Sequence, residues 1–303
     1  MAVSGGQDSL CLIKLLLDLQ PKWGWHLGIA HCDHRWRSDS EANANYVEQL
    51  ANNWETAFHL YIATQELKSE AAARQWRYQA LSAIAQENNY NCIVTGHTAS
   101  DRAETLLYNL IRGSGADGLQ ALTWQRPLGS ELVLVRPLLE VTRAQTGQFC
   151  RDMQLVVWED STNLDLKYAR NRIRQELLPY LQTHFNPQVE QALAQTAELL
   201  QAEVEYLELA AHQLRQQAMP PPSCGGYPPQ LGLNRRVLQT APLAWQRRVM
   251  RQLLQQALKS APSFEQVEKL TALITAPNRS RSDPFPGGAI AEVDGDWIWI
   301  TQS

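Results

Sequence analysis

The first 160 residues alternate short apolar runs of β type with helical periodicities, and this alternation limits the fold more than any other feature of the chain. The β-type runs are Met1–Val3, Leu27–Cys32, Ala57–Ala63, Cys92–Thr95, Leu132–Val135 and Leu155–Trp158; helical patterns fall near 8–19, 40–54, 70–88, 101–111 and 142–153. Strands that alternate with helices predict a doubly wound α/β fold, a parallel sheet covered on both faces. Such a sheet presents ligands at the carboxyl ends of its strands, so the loops that leave those ends are where chemistry is sought.

Beyond the alternation the pattern changes. Val189, Leu193, Ala197, Leu200, Val204, Leu207, Ala211 and Leu214 recur every three or four residues, one apolar stripe on a long helix. Asn186-Pro187 is its start signal, a capping side chain followed by proline, and Pro220-Pro221-Pro222 ends it. A Pro- and Gly-rich linker reaches Pro229, after which a small α+β domain is expected, with helices near 241–258 and 263–275 and a β pair near 289–301. The expected division is therefore 1–185, a connecting helix and linker over 186–230, and a small domain over 231–303. No internal repeat is visible.

Composition sets further limits. Hydrophobic residues make up 44% of the chain and charged residues 19%, enough for a sizeable core and against wholesale disorder. No apolar run approaches bilayer length, so no membrane partner is expected. Five scattered cysteines, Cys11, Cys32, Cys92, Cys150 and Cys224, form no C-x-x-C pair and fit a reducing cytoplasm. Net charge is −4 and unevenly spread, −3 over 1–185, −4 over 186–230 and +3 over 231–303. Nucleic-acid contact would therefore need local basic clusters.

The loop Ser4-Gly5-Gly6-Gln7-Asp8-Ser9 leaves the first β-type run and opens a helix. Its glycines let backbone amides approach an anion, the helix N-terminus adds free amides, and Ser4 and Ser9 add hydroxyls. Asp8 would repel a phosphate unless a cation intervened, which implies Mg²⁺ between them. The lysine of a Walker loop is absent. A plain glycine turn capped by serine is the alternative.

Later segments leave other strands. His31-Cys32-Asp33-His34-Arg35-Trp36-Arg37-Ser38 follows the second, as either a ligand loop or a solvated polar loop. On the helix 70–88, Arg74 shares a face with Tyr78 and with Arg77. Gly96-His97-Thr98-Ala99-Ser100-Asp101-Arg102-Ala103-Glu104-Thr105 follows the fourth strand. Asp101 and Glu104 lie three apart on one face of a first turn, where they could hold Mg²⁺, hold an ammonium and take its proton, or cap the helix. In Tyr168-Ala169-Arg170-Asn171-Arg172-Ile173-Arg174, helical spacing puts Arg170 and Arg174 on one face and Arg172 about 200° from Arg170.

The hexapeptide at 4–9 resembles the pyrophosphate loop of the N-type ATP pyrophosphatases, which split ATP into AMP and pyrophosphate. Within that class the later segments resemble the tRNA(Ile)-lysidine synthetases. The likeness lies in H-x-D-H-x-x-R-x-x-S at 31–40, with Arg37 and Ser40 in its last two places, and in E-x-x-A-R-x-x-R-Y at 70–78. It continues in E-D-x-x-N at 159–163 and Y-x-R-N-x-I-R at 168–174. Most specific is the run from Gly96 through Arg112-Gly113-Ser114-Gly115 to Gly118, which follows G-H-T-x-x-D-x-x-E-T-L-L-x-x-L-x-R-G-S-G-x-x-G-L. The likeness is dense over about 2–187 and loose beyond, in Pro286-Gly287-Gly288 and the terminal β pair.

The resemblance implies a PP-loop catalytic domain over 1–185 and a tRNA-binding domain over 231–303. ATP would be held by Ser4, Gly5, Gly6, Gln7, Asp8, Ser9, His31, Asp33, His34, Gly96 and His97, with Mg²⁺ on Asp8 through the pyrophosphate. Asp8, Asp101, Glu104 and Arg74 would be catalytic, and Arg77, Arg112, Arg170, Asn171 and Arg174 would meet tRNA or phosphate. The implied partners are an isoleucine tRNA with a CAU anticodon and free L-lysine; the assembly is left open, a homodimer among the choices. A tRNA thiolase of the same class is the rival enzyme, weakened by the lack of C-x-x-C, and a nucleotide-binding module without catalysis is the rival of another kind. Two departures stand out. Only Met1-Ala2-Val3 precede the loop, so a reading frame that begins upstream or marginal stability is expected. The further C-terminal domain of the longest relatives is not seen, which would leave substrate selection to 231–303 and the catalytic domain.

Overall fold

The computed structural model describes all residues except 66, 130, 160–164, 221–230, 259–260 and 302–303. Two compact units divide it, Met1–Gln201 and Ala202–Ser303, so the boundary falls inside the long helix. The linker and the 160–163 part of the E-D-x-x-N segment lie outside the described residues.

In the first unit, β1 (Gly28–Asp33) pairs in parallel with β2 (Ala57–Ile62), and β3 (Cys92–Val94) in parallel with β5 (Leu132–Val135). Met1–Val3 joins the two pairs. Ala2 bridges both Ala30 and Thr95, with Ala2 N donating to Val94 O and Val3 N to Ala30 O, each at 2.9 Å. The chain start thus runs through the middle of one continuous sheet. The parallel sheet holds with two corrections. The first is β4 (Gln125–Leu128), which pairs antiparallel with β5 at the edge, so the sheet is mixed. Proline in β4 hid this strand from periodicity, and an edge is where a strand tolerates proline. The second is Leu155–Trp158, which is not a strand. Its backbone contact with the loop is the bond from Trp158 N to Gly5 O at 3.0 Å, and it lies across the loop instead of extending the sheet.

Burial follows position. β1 is buried at nearly every residue, as a central parallel strand must be, while β2 is largely exposed at the edge. On one face, α1 (Gln7–Trp23), α2 (Ser40–Asn53) and α6 (Arg143–Asp152) close a core of Leu10, Leu12, Ile13, Ile29, Val47 and Cys150. On the other, α3 (Glu70–Glu87) packs Leu81 and Ile84 on Ala30, Ile93 and Leu134. Local chemistry sets the helix starts. Ser69 caps α3, and reciprocal capping boxes open α4 (Ala99–Ile111) through Thr98 and Asp101 and α6 through Thr142 and Gln145. Gly24, at φ 65°, closes α1.

After α5 (Ala116–Leu119) and the hairpin come α7 (Ala169–Arg172), a π turn over Ile173–Leu177, and α8 (Leu178–His184), with Ile173 and Leu178 packed on Ala103 and Leu107 of α4. The long helix α9 (Val189–Ala218) begins where expected, with Asn186 Oδ1 accepting from Gln188 N at 2.9 Å.

In the second unit, β6 (Leu231–Asn234) and α10 (Arg235–Gln239) precede the expected α11 (Leu243–Ala257), α12 (Phe264–Ala272), β7 (Ile290–Asp294) and β8 (Trp297–Thr301). The sheet is antiparallel in the order β6-β8-β7. Ile298 and Ile300 face its core, while Trp297 and Trp299 stack on the other side at 5.5 Å. β6 was missed because Leu231-Gly232-Leu233 lacks the β-branched signal; a Cβ on Gly232 would fall 2.2 Å from the Trp299 ring.

Candidate active site

The Ser4–Ser9 loop leaves the central segment at its carboxyl end and turns at Gly5, where φ is +84°. A Cβ there would lie 2.8 Å from Asn43 Nδ2, so glycine is required by both conformation and space. Ser9 Oγ donates to Gly6 O at 2.8 Å and accepts from Ser4 N at 3.3 Å, which holds the turn closed. Gly96 presses on the loop from β3, since a Cβ on it would fall 2.8 Å from Asp8 O.

Three helix starts converge here. Arg143 N, at the start of α6, donates to Ser100 Oγ, at the start of α4, at 3.0 Å. Gln7, which opens α1, donates to Arg143 O at 2.7 Å. N-terminal amides and dipoles of α1, α4 and α6 therefore favour negative charge at one place. Asp8 stands there, accepting from Thr146 Oγ1 at 2.5 Å and lying 3.3 Å from Arg143 Nη1. Burial pushes its carboxyl up; Arg143 and Thr146 pull it down, Asp101 adds to the rise, and the net direction is up. Arg143 and Thr146 are site residues that the sequence reading missed. The capping box at 142–145 marks a helix start there but not that it falls beside Asp8.

Asp101 and Glu104 lie on one face of α4, as their spacing requires. Asp101 Oδ2 caps the helix, accepting from Thr98 N at 2.8 Å and Thr98 Oγ1 at 2.9 Å. Arg174 donates to Glu104 through Nε and Nη2 at 2.5 and 2.9 Å, and through Nη2 to Asp101 at 3.3 Å. Glu104 is 2% exposed. The two carboxyls are driven apart. Burial raises both, but His97, the Thr98 amide and Arg174 bring Asp101 below its ordinary value, whereas for Glu104 burial outweighs the Arg174 bond and the net direction is up. Pairs pushed apart in this way separate a carboxylate that holds its charge from one that keeps its proton more readily. Asp8 and Asp101 are close enough to raise Asp8, so the loop and the pair share one electrostatic neighbourhood.

Arg170 and Arg174 both face α4, Arg170 Nη2 donating to Thr105 Oγ1 at 2.9 Å. Arg172 points away, exposed, and donates to Leu166 O and Lys167 O. Asn171 donates to Asp165 O at 2.9 Å. Arg112 is not gathered with these groups: it caps the far end of α4, eleven residues from Asp101, or about 16 Å along the axis at 1.5 Å per residue. There it lies over the Tyr108 ring at 5.2 Å.

His31 is buried, and its Nδ1 donates to Val3 O at 2.8 Å; burial pulls its pKa down, which leaves Nε2 as an acceptor. Asp33, also buried, accepts from Arg35 N at 2.8 Å and fixes a turn in which Arg35 has φ 54°. His34 lies 5.0 Å from Trp36, and Arg37 pairs with Asp39, which also accepts from Trp158 Nε1 at 3.3 Å. Burial, with Arg136, Arg77 and Arg74 nearby, holds His97 down to about 4 against the pull of Asp101, and its Nδ1 meets Thr95 Oγ1 at 2.8 Å. Arg74 is half-buried over Tyr78 at 5.6 Å, and Arg77 is exposed.

No group of three His, Cys, Asp or Glu able to cage a metal occurs among the described residues. Magnesium does not need one, since it keeps waters and takes phosphate oxygens with one or two carboxylates. Asp8, with Arg143 only loosely placed at 3.3 Å, fits that role.

Comparison with known proteins adds three findings. A PP-loop domain matches residues 1–181, and a TilS substrate binding domain matches residues 233–296. The chain is 71% identical over 305 residues to a tRNA(Ile)-lysidine synthase of Nostoc sp., covering 98% of this chain and 89% of that one. It is 52% identical to that of Synechocystis sp. (98% and 90% covered) and 36% identical to the chloroplastic enzyme of Zygnema circumcarinatum (91% and 75% covered). Among solved structures, the U34-tRNA thiolase NcsA from Methanococcus maripaludis with its [4Fe-4S] cluster aligns with a TM-score of 0.56 at 14% identity, over 66% of this chain and 71% of that one, a likeness of fold alone.

Proposed function

Since the chain belongs to the tRNA(Ile)-lysidine synthase family, we propose that it ligates lysine to C-2 of the wobble cytidine of an isoleucine tRNA with a CAU anticodon, at the expense of ATP. The rival thiolase reading is weaker, for it rests on a shared fold at 14% identity.

Two steps follow. The cytidine carbonyl oxygen attacks the α-phosphate of ATP, and pyrophosphate leaves. The lysine ε-amine then attacks C-2, loses a proton, and AMP leaves with the oxygen. Adenylation is needed because an amide-like carbonyl carries no good leaving group. The amides of Gly5–Ser9 and the converging helix starts suit the pyrophosphate. Asp8 would hold magnesium, which when bound supplies neutralisation of phosphate charge. Asp101, held ionised, orients the incoming ammonium, and Glu104, with its raised pKa, takes the proton. His31 Nε2 and the Asp33–His34 turn suit the base of ATP, while Gly96 sets the loop against it. Arg170 and Arg174, which face α4, would contact AMP or the anticodon backbone.

The observation that carries this reading is the placement of Asp101 and Glu104, on one face of α4 and both bonded by Arg174, beside a phosphate-type loop. An assay of labelled lysine incorporation into isoleucine tRNA, with AMP and pyrophosphate counted, tests it. One AMP and one pyrophosphate are expected per lysine, and an adenylated tRNA should accumulate when lysine is left out. Incorporation without AMP would sink the two-step chemistry.

A further inference from the structure

Two arginines lie over one aromatic ring of the first unit, and two more act on its hydroxyl. Arg74 and Arg126 lie over Tyr78, at 5.6 and 4.8 Å from its centroid. Arg136 sits against the Tyr78 hydroxyl. Arg77, one helical turn from Arg74 on α3, adds its charge to the same hydroxyl. Burial pushes that hydroxyl up, yet the three cations Arg74, Arg136 and Arg77 outweigh it and the net direction is down. Two segments far apart in sequence supply the cluster: α3, and the β4–β5 hairpin with the residue that follows it.

No carboxylate forms an ion pair with any of the four among the described residues, unlike the buried Arg102, which meets Glu198 at 2.6 Å, or Arg174 on Glu104. Arg136 is 2% exposed, with Nη1 donating to Thr123 O at 2.5 Å, and its Nε has no hydrogen-bond partner. A buried guanidinium with an unused donor, beside three more cations, is costly unless an anion completes it. The surrounding segment, residues 1–185, is net −3, so this is a local positive centre in an acidic unit.

Exposure shows what shape of anion fits. Arg136 is buried, Arg74 half-buried, and Arg77 and Arg126 exposed. Four charges graded from the interior to the surface suit a chain of phosphates more than the single carboxylate of free lysine. The triphosphate of ATP already has the Ser4–Ser9 loop. Guanidinium groups and an aromatic platform are also the common furniture of RNA backbone recognition.

We propose that Arg74, Arg77, Arg126 and Arg136, gathered on Tyr78, form a binding site for consecutive phosphodiesters of the tRNA substrate, with Arg126 on the β4 edge as its outer contact. The inference rests on the tRNA reading above and extends it to Arg126 and Arg136, which no sequence motif singled out.

The test uses full-length protein and an isoleucine tRNA transcript, with binding measured across a salt series for wild type, Arg126→Ala and Arg77→Ala. Both residues are exposed, and melting curves confirm folding. Each variant should bind about tenfold more weakly and lower the slope of log affinity against log salt by about one. For Arg126→Ala, ATP affinity without tRNA and the KM for lysine at saturating tRNA should match wild type. Binding and slope equal to wild type would overturn the site. A raised lysine KM with tRNA binding intact would also overturn it, and would assign the cluster to the lysine carboxylate. Wild-type protein that binds the tRNA yet forms no lysidine would remove the ligase reading and leave this site standing; wild-type protein that binds no tRNA would remove the site.

Discussion

Replacing Glu104 with glutamine exchanges one oxygen for a nitrogen and separates the two steps of the reaction. In the native site Arg174 grips both carboxylate oxygens, at 2.5 and 2.9 Å. Glutamine keeps one acceptor and turns an NH₂ toward the guanidinium, so one charge-assisted bond is lost, about 1.5–3 kcal/mol. Against this, burial already disfavours the carboxylate despite Arg174. A neutral amide removes that penalty, so the net stability change should be within about 1 kcal/mol, a few degrees in Tm. Catalysis should respond far more, since loss of a general base costs roughly 10²–10⁴ in rate. The sign with pH is fixed by the raised pKa. In wild type, lysine transfer rises as pH passes upward through that value, and the variant loses this limb. The stability that Glu104 contributes is fully present below the unfolded glutamate value and is lost as pH rises through the folded one, so the variant gains on wild type at higher pH. Single-turnover assays, with pyrophosphate release for adenylation and labelled lysine for transfer, resolve the steps. Transfer should collapse while adenylation changes by less than about threefold. Equal retention of both rates would refute the base assignment and leave Glu104 as the anchor of Arg174.

Asp8→Ala should abolish AMP formation at saturating Mg²⁺ and tRNA; substantial AMP would take Asp8 out of the mechanism. Gly96→Ala places a Cβ 2.8 Å from Asp8 O; displacing that backbone costs about 1–3 kcal/mol, expected as a KM for ATP raised roughly tenfold, and an unchanged KM would show that the loop yields freely. Arg170→Ala should cut lysine incorporation strongly and Arg172→Ala should stay near wild type, because Arg170 faces α4 and Arg172 is spent on Leu166 and Lys167 carbonyls; the reverse order would break the facing argument. Arg102 lies on α4 between the two carboxylates and is 1% exposed; Arg102→Met should destabilise by about 1.5–3 kcal/mol in urea, with less loss in Arg102→Lys, and no loss would mean that the Glu198 contact contributes nothing.

The alternation of strands and helices was legible because each β-type run is short and each following helix keeps its apolar period. Segments that follow strands put Asp8, Gly96 and Asp101 beside strand ends, whereas His31 and Asp33, expected after the second strand, lie within β1 itself. What could not be read were contacts made across the sheet. Nothing local to Arg143 or Thr146 announces that α6 begins beside Asp8, and nothing local to Arg126 or Arg136 announces a meeting on Tyr78. The Asp101–Glu104 spacing showed a shared face but not their electrostatic difference, which arises from Thr98, His97 and Arg174, the last 70 residues beyond Glu104. Leu155–Trp158 looked like a strand because its residues are β formers, but its neighbour in space is the Gly5 turn, which offers no further ladder. Arg112 lay within the most specific motif and still falls at the other end of α4, because a helix carries a continuous motif away from the site at 1.5 Å per residue.

The central claim is most directly tested by mass analysis of the nucleosides of isoleucine tRNA after incubation with this protein, ATP, Mg²⁺ and lysine. The account predicts that the wobble cytidine is replaced by lysidine, and that omitting either ATP or lysine prevents it. An unchanged cytidine with active, folded protein, or a thiolated base in its place, would contradict it.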